Sequence, residues 1–274
     1  MTNTSAIDFE SFFNTVNGDR RSSTTTVYGI DPSTEYRLWD VPVASKEDIE
    51  DAVTAANDAF HSWRETPIRQ RVELIGKFKN AYCSYLNEFI NLLMKENGKP
   101  RPLATGEVNE TLALFDHHLQ LKIPEERTEY EDRVITTRYV PVGVVAAICP
   151  WNFPIVLSVG KMLPALLAGC CIIVKPSPFT PYTALKVVEL AQQSFPRGVV
   201  QALGGDDSLG PALVNNSRIH KISFTGSIAT GKKIIGAVHR KPQTCDTGAV
   251  STCSLLHNAI NSPSFSLLLL RTLY

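Results

Sequence analysis

From residue 142 onward, the sequence repeats one unit four times: a short apolar segment rich in β-branched residues, then a segment with helical periodicity. The four apolar segments read VGVVAAIC, CCIIVK, GVVQALGG and HKISFTG. Successive strand–helix units of this length predict an α/β fold, in which a parallel sheet carries helices on its faces. Ligands of such sheets bind where the carboxyl ends of strands meet the amino termini of helices. We therefore expect the functional residues at that edge.

A long uncharged and largely apolar stretch, residues 139–160 between Arg138 and Lys161, raises the alternative of a membrane span. A helix exposed to lipid must satisfy its own backbone hydrogen bonds, and helix-breaking residues interrupt this stretch. They are Pro141, Gly143, Pro150, Asn152 and Pro154. A buried strand explains the segment VGVVAAIC better, and we expect no membrane as a partner.

Charge balance, cysteine spacing and the amino-terminal residues limit the expected partners and cellular location. Lys and Arg total 27, and so do Asp and Glu, so the net charge gives no indication of nucleic acid as a partner. The six cysteines contain no C-x-x-C pair, and His220, His239 and His257 form no metal-ligand cluster, so we expect no disulfide framework and no metal. The amino-terminal residues lack a basic segment followed by an apolar one, which indicates a cytoplasmic location.

Before residue 142, the sequence predicts a β-hairpin and two helices. Residues 22–44 read as the hairpin, with a turn at DPST, and Ser45 with Asp48 resembles a capping box that begins the first helix. The second helix follows Pro67 and ends at ENGKP. Residues 129–141 alternate in polarity, which predicts an exposed hairpin or arm.

A distinct motif stands at the end of each predicted strand: PWNFP, KPSPFTP, GGDDSLG and FTGSIATGK. In this order and spacing, the motifs resemble the cofactor-binding domain of NAD(P)-dependent aldehyde dehydrogenases over roughly residues 20–238. The resemblance implies an incomplete aldehyde dehydrogenase fold: a Rossmann-like parallel sheet with helices on both faces, preceded by a β-hairpin and two helices. It assigns residues 1–238 to that domain, with a subunit-contact hairpin at about 129–139, and leaves 239–274 as a tail unlike the family.

Asn152 presents a neutral amide from a tight turn, which suits an oxyanion that develops from a carbonyl group. The resemblance assigns Asn152 this catalytic role and places Trp151 beside the cofactor. The alternatives are that Asn152 only caps the following helix and that Trp151 is an ordinary core residue.

Lys175 ends an apolar strand, where a charged side chain indicates a ligand unless its ammonium group extends to solvent. In the family, the matching lysine binds the ribose hydroxyls of the cofactor. Pro178 stands where many members have an acidic residue that favours NAD. The sequence therefore leaves both NAD and NADP open as the cofactor.

The glycines of GGDDSLG and the serine of FTGS complete the candidates. The glycines either let the backbone approach the cofactor or only form a turn. The resemblance places the pyrophosphate on Ser227, at the amino terminus of a helix that this serine can also cap. It gives the cofactor-binding set as Ile148, Pro150, Trp151, Lys175, Ser177, Gly204, Gly205, Gly210, Phe224, Gly226 and Ser227.

The family's reaction also needs a cysteine nucleophile and a glutamate general base, and the sequence offers neither in the family's context. No glutamate follows Glu189, and neither Cys245 nor Cys253 lies in a G-Q-x-C motif. Structural thiols are the better interpretation of the cysteines in or beside predicted strands, Cys149, Cys170 and Cys171.

The sequence of the tail, 239–274, indicates a change of reading frame or a retained intron. Read one nucleotide later, permitted codons for PQTCDTGAV include a set that encodes LKRVTLEL, close to the glutamate-containing strand of the family. The pair Val250-Ser251 can be encoded by GTAAGT, a typical intron donor sequence. We therefore hypothesise a frame-shifted or intron-retaining version of a longer enzyme, which sequencing of the transcript tests.

These observations leave three functional hypotheses. The first is a family member whose complete form oxidises an aldehyde to a carboxylic acid with NAD or NADP, while this chain itself is inactive. The second is a nucleotide-binding or regulatory fragment that pairs with a full-length subunit through the hairpin, and the same hairpin allows a homo-oligomer. The third is a non-functional gene product. The sequence does not identify the aldehyde.

Overall fold

A computed structural model of the protein describes residues 7–238. In chain order its elements are β1 (Asn14–Val16), β2 (Asp19–Arg21), β3 (Thr26–Ile30), β4 (Arg37–Pro42), α1 (Lys46–Trp63), α2 (Ile68–Cys83), α3 (Leu86–Asn97), α4 (Arg101–Gln120), β5 (Glu125–Glu129), β6 (Val134–Arg138), β7 (Val144–Ile148), α5 (Pro154–Ala168), β8 (Cys171–Lys175), α6 (Tyr182–Gln192), β9 (Val200–Ala202), α7 (Leu209–Asn215), β10 (Lys221–Phe224) and α8 (Ile228–Val238). The predicted tail, 239–274, with Cys245 and Cys253, lies outside the described residues.

The central sheet has the strand order β10-β7-β8-β9-β1-β2 within residues 7–238. Neighbouring strands from β10 to β9 are parallel, which confirms the prediction of four successive strand–helix units. Strands β1 and β2 form an antiparallel hairpin, and β1 pairs antiparallel with β9, so the sheet is mixed. The turn of this hairpin is Asn17-Gly18, where both residues have a positive φ, as tight hairpin turns require.

The middle of the sheet is buried on both sides. Every residue of β7 and β8 is buried, as expected for parallel strands that are covered by helices on each face. Helix α5 is apolar over nearly its whole circumference because it packs against α2, α4 and α6 as well as against the sheet. Helix α5 ends at Gly169, whose φ of 88° is the left-handed conformation that glycine adopts most easily.

The amino-terminal half differs from its prediction in the number of helices. Within residues 7–238, four helices precede β7 rather than two. The predicted second helix is divided at Tyr85, whose φ of −129° lies outside the helical region and whose ring packs on Phe9. Helix α4 was not predicted, although Pro102 in its first turn is a common feature of helix starts.

Both predicted hairpins are present, although the second begins earlier than the predicted range of 129–141. Strands β3 and β4 pair antiparallel, and the capping box that follows them is confirmed, with Ser45 Oγ accepting from Asp48 N at 3.0 Å. Strands β5 and β6 pair antiparallel over 125–138, and every residue of both strands is exposed. Among the helices in the described range, none has the length and apolar character that a membrane crossing requires.

Candidate functional site

The ends of three neighbouring strands lie in one row across the sheet. Ile148 at the end of β7 pairs with Lys175 at the end of β8 on one side and with Phe224 at the end of β10 on the other. The next amides continue this register, since Cys149 N donates to Lys175 O at 3.0 Å and Thr225 N donates to Ile148 O at 3.2 Å. The loops that carry Asn152, Ser177 and Ser227 therefore leave the sheet at the same edge.

The Asn152 side chain is exposed, and within residues 7–238 its carboxamide makes no hydrogen bond. The amino terminus of α5 is capped by a different residue, because Glu107 Oε1 accepts from Ile155 N at 2.9 Å and from Val156 N at 3.3 Å. The alternative that Asn152 only caps this helix is therefore wrong. Its amide remains available to a ligand.

The backbone of the Asn152 loop is held by side chains from elsewhere in the chain. Trp151 O accepts from Asn97 Nδ2 at 2.7 Å and from Thr180 Oγ1 at 3.2 Å. Asn152 O accepts from Lys99 Nζ at 2.7 Å. The carbonyl groups of this loop are thus bound by other parts of the chain, while the Asn152 side chain is exposed.

The Trp151 side chain is 58% exposed, so the alternative that it is a core residue is wrong. It lines an open cavity of about 680 Å³ between β3 and the loop that follows β8. Pro178 and Phe179 line the same cavity, and Phe179 is also strongly exposed.

The amino terminus of α6, like that of α5, is capped by a buried glutamate side chain. Glu96, at the end of α3, accepts from Tyr182 N at 2.8 Å and from Thr183 N at 3.3 Å, and the Thr183 hydroxyl also donates to it. The carboxyl group is buried, and burial raises the pKa of Glu96 to about 8, against these donors. Two buried glutamates from the amino-terminal helices therefore close the first two helices of the sheet.

Lys175 is only 6% exposed, so its ammonium group does not extend to solvent as the snorkelling alternative requires. Lys175 Nζ donates to Pro176 O at 3.1 Å, and a Cβ built on Gly210 would lie 3.9 Å from Lys175 Cε. Burial lowers the pKa of Lys175, while Cys149, Asp207 and Asp206 oppose this shift. The structure thus brings Lys175 to the start of α7.

Gly204 and Gly205 pack against other parts of the chain. Gly204 N donates to Asn14 Oδ1 at 2.7 Å, and a Cβ built on Gly204 would lie 2.9 Å from Val41 Cγ1. A Cβ on Gly205 would lie 3.2 Å from Leu209 Cδ2. These approaches explain both glycines without a ligand, and a contact with the cofactor stays a prediction for them.

Ser227 stands exposed directly before α8 and caps it, since Ser227 Oγ accepts from Thr230 N at 3.2 Å. The neighbouring Gly226 leaves no space for a side chain, because its Cβ would lie 2.6 Å from Phe224 Cζ. In contrast to α5 and α6, α8 begins at the surface, and Ser227 is the cap that the structure shows within residues 7–238.

Two smaller candidates lie on the loops after β7 and β8. Ser177 is buried, and its Oγ accepts from Phe179 N at 3.3 Å, so it shapes its own loop. Pro150 is half-buried and follows Cys149, which is buried. Burial raises the pKa of the Cys149 thiol, which agrees with a structural role rather than that of a nucleophile.

The sequence prediction missed four charged residues behind these loops: Glu96, Lys99, Glu107 and Lys161. Lys161 is buried in α5, and its Nζ donates to Thr225 Oγ1 at 2.7 Å in the loop before Ser227. Burial lowers the pKa of Lys161. A single charge inside an apolar helical pattern was the signal that could have found it. Within the described ranges, no group of three or more His, Cys, Asp or Glu residues is placed to hold a metal ion.

The protein is an α/β protein with a largely parallel sheet, and the loops after β7, β8 and β10 share one edge of it. Residues 20–261 match the model of the aldehyde dehydrogenase family, and the chain belongs to that family. It is 44% identical over 252 residues to aldehyde dehydrogenase LUC3 of Fusarium sp. The aligned region covers 91% of this chain and 54% of the relative.

Solved structures agree with this assignment. The NAD+ complex of an aldehyde dehydrogenase from Bacillus cereus is 36% identical, with a TM-score of 0.80 over 84% of this chain and 49% of the other. The NADP-dependent glyceraldehyde-3-phosphate dehydrogenase from Bacillus halodurans C-125, solved with NADP, is 28% identical, with a TM-score of 0.79 over 83% of this chain and 50% of the other. The chain spans about half the length of the relatives it matches.

Proposed function

We propose that residues 7–238 bind NAD+ or NADP+ along the carboxyl edge of the sheet, as the cofactor-binding part of an enzyme that oxidises an aldehyde to a carboxylic acid. The observation that carries the proposal is the common row of Ile148, Lys175 and Phe224, which brings the loops of three motifs together. Family membership supplies the cofactor class.

The residues at this edge fit a dinucleotide. The amino terminus of α8 is exposed, and the amides of its first turn together with Ser227 can receive a pyrophosphate. Lys175 can turn from its contact with Pro176 O to donate to ribose hydroxyls. The free carboxamide of Asn152 can donate to the oxyanion that develops on the substrate carbonyl. When bound, the cofactor accepts the hydride that leaves the aldehyde carbon.

We expect a polypeptide of this sequence to be inactive by itself. Of the three buried glutamates within residues 7–238, Glu96 and Glu107 are engaged as helix caps and Glu189 pairs with Arg20 and Lys186. No glutamate follows Glu189 in the sequence. Cys149 is buried, and the cysteines after residue 238 lack the family's motif. The substrate aldehyde belongs to the complete enzyme in this proposal.

Calorimetric titration of the intact chain with NAD+ and with NADP+ tests the binding proposal. We expect one saturable site for at least one of the two, and Ser227→Asp weakens it because a carboxylate repels the pyrophosphate. Ser217→Asp, which adds the same charge at another exposed position, is the matched control. No saturable binding, or equal losses in both variants, contradicts the proposal.

A separate assay tests inactivity. NADH absorbance is followed with a panel of aldehydes, and no aldehyde-dependent rate is expected. A rate that disappears in the Asn152→Ala variant would show that this chain is catalytic after all, because a contaminating enzyme would not respond to that substitution.

A regulatory fragment that pairs with a full-length subunit is the second candidate, and the β5–β6 hairpin favours it. Both strands are exposed along their whole length, and Val134 and Ile135 are about half-exposed apolar residues on it. The same surface serves a homo-oligomer. Co-purification with a full-length subunit that Ile135→Lys abolishes and Thr137→Lys preserves is the expected result, and equal behaviour of the two variants counts against it.

A further inference from the structure

Lys99 lies in the short connection between α3 and α4 and makes three contacts around the Asn152 loop. Its Nζ pairs with Glu107 Oε2, donates to Asn152 O at 2.7 Å, and lies 4.0 Å from the centre of the Phe153 ring. The Lys99 side chain is 10% exposed and that of Glu107 is fully buried. An ammonium group so enclosed is fixed in position, unlike a lysine on an open surface.

Glu107 extends this contact to the other side of the loop. While one of its oxygens pairs with Lys99, the other accepts from Ile155 N and Val156 N at the start of α5. A single carboxylate thus connects the lysine that holds residue 152 to the amides of residues 155 and 156. The backbone that carries the Asn152 carboxamide is fixed on both sides by one ion pair.

We propose that Lys99 and Glu107 are positioning residues that aim the Asn152 carboxamide at the reacting carbonyl. This role rests on the proposed function, in which Asn152 stabilises the oxyanion. A preorganised donor must be held close to its productive geometry, and rigid support from behind the loop is the way to hold it. Neither residue touches the substrate or the cofactor in this account.

The pair is interdependent. Burial raises the pKa of Glu107, and Lys99 is the main group that opposes this shift. Without the lysine, Glu107 tends towards the neutral acid, which accepts more weakly from the α5 amides. Loss of Lys99 therefore loosens both ends of the loop. Lys99→Arg keeps the charge and several donors and should largely retain the geometry.

Fluorine NMR of the intact chain labelled with 5-fluorotryptophan tests this inference. The chain has three tryptophans, Trp39, Trp63 and Trp151, so three resonances are expected, and Trp151→Phe assigns the one beside Asn152. In Lys99→Met, we expect the Trp151 resonance to shift by more than its linewidth or to broaden, while the other two stay in place. In Lys99→Arg, the Trp151 resonance should return to its original position.

Lys95→Met is the matched control, because the Lys95 ammonium group lies 4.9 Å from the centre of the Trp39 ring and, within residues 7–238, forms no hydrogen bond with the Asn152 loop. It should move the Trp39 resonance and leave that of Trp151 unchanged. If Lys99→Met fails to fold, Lys99→Gln is interpreted in the same way. The inference is overturned if the Trp151 resonance does not respond to loss of Lys99, or if all three resonances shift together with a general loss of stability.

Addition of NAD+ to the unsubstituted protein separates the two proposals. If NAD+ moves no resonance while Lys99→Met still moves that of Trp151, the cofactor proposal fails and only the loop support stands. If NAD+ moves the Trp151 resonance but loss of Lys99 does not, the cofactor proposal stands and the positioning role falls.

Discussion

The first two helices of the parallel sheet begin differently from the last one. Buried carboxylates of Glu107 and Glu96, reaching across from the amino-terminal helices, close the amino termini of α5 and α6. Helix α8 begins at the surface with Ser227 as its own cap. Helix amino termini attract anions and hydrogen-bond acceptors, and here two glutamate side chains of the protein itself occupy that position. Within residues 7–238, we therefore expect a phosphate to bind at the start of α8 rather than at the starts of α5 and α6.

Because of this difference, we assign different roles to the two parts of the carboxyl edge of the sheet. The closed ends build a rigid support for the Asn152 loop, whose amide faces outward, and the open end provides a place for charge. Between them, Lys175 is buried but directed towards the start of α7. Just before α7, Asp206 Oδ1 accepts from Ser208 N at 2.9 Å. A carboxylate from the preceding loop therefore lies near the amino terminus of α7.

The largest expected effect, on the free energy of unfolding, comes from removing a glutamate that caps a helix. Glu107→Ala leaves Lys99 without its partner and two α5 amides without an acceptor, and we expect the free energy of unfolding to fall by about 3 kcal/mol. Chemical denaturation measures the change. Glu110→Ala, on the exposed side of the same helix, is the control and should stay within about 0.5 kcal/mol. Equal losses in the two variants would show that the cap contributes nothing.

The second prediction concerns pH. Since burial raises the pKa of Glu96 from 4.5 to about 8, the folded protein keeps a proton that the unfolded chain has released in this range. The stabilisation from this group is present below pH 4.5 and is lost as the pH rises through 8, an effect on the order of a few kcal/mol. Denaturation between pH 5 and pH 8.5 should show the decline.

Two variants on α3 sharpen the pH prediction. Glu96→Gln removes the titrating group, so the decline between pH 5 and pH 8.5 should largely disappear. Glu88→Gln replaces an exposed glutamate of the same helix and should leave the decline unchanged. A decline that persists in Glu96→Gln assigns it to other groups.

The third prediction concerns Lys175 and the affinity for NAD+. Lys175→Met removes the buried ammonium group that we assign to the ribose, and NAD+ affinity should fall about tenfold, as expected for loss of a hydrogen bond from a charged donor. Lys77→Met, at an exposed position of α2, should bind NAD+ as the unsubstituted protein does. Calorimetry measures both. An unchanged affinity in Lys175→Met removes that lysine from the site.

The smallest expected effect concerns cofactor choice. Asp206 and Asp207 act electrostatically on Lys175, and Pro178 supplies no positive charge, so a 2′-phosphate meets more negative than positive charge. We expect NAD+ to bind several-fold more tightly than NADP+. Asp207→Asn should narrow this difference by improving NADP+ binding alone. Equal gains for both cofactors would point to a general effect of the loop rather than to the phosphate.

The sequence predicted what local pattern encodes. The four strand–helix units, the capping box at Ser45 and the glycine end of α5 each depend on neighbouring residues, and the structure has all of them. The three-residue strands β1 and β2 were missed because segments so short carry almost no periodicity. The division of the predicted second helix at Tyr85 depends on packing against Phe9, which lies far away in the sequence.

The site shows the same limit. Motifs pointed to Asn152, Lys175 and Ser227 because each lies at the end of a strand or in the loop that follows it. They could not locate Glu96, Lys99 or Glu107, whose partners lie tens of residues away along the chain. Whether Asn152 caps α5 or remains free was open in the sequence for this reason. The answer depends on a glutamate in another helix.

Hydrogen exchange with and without saturating NAD+ tests the division of the edge most directly. We expect slower exchange of amides in 224–231, at the start of α8, and of the Ser177 amide, after β8. Amides 155–157 and 182–185, which begin α5 and α6 behind their glutamates, should exchange at the same rate in both conditions. Protection confined to α5 and α6, or no protection at the start of α8, would contradict it.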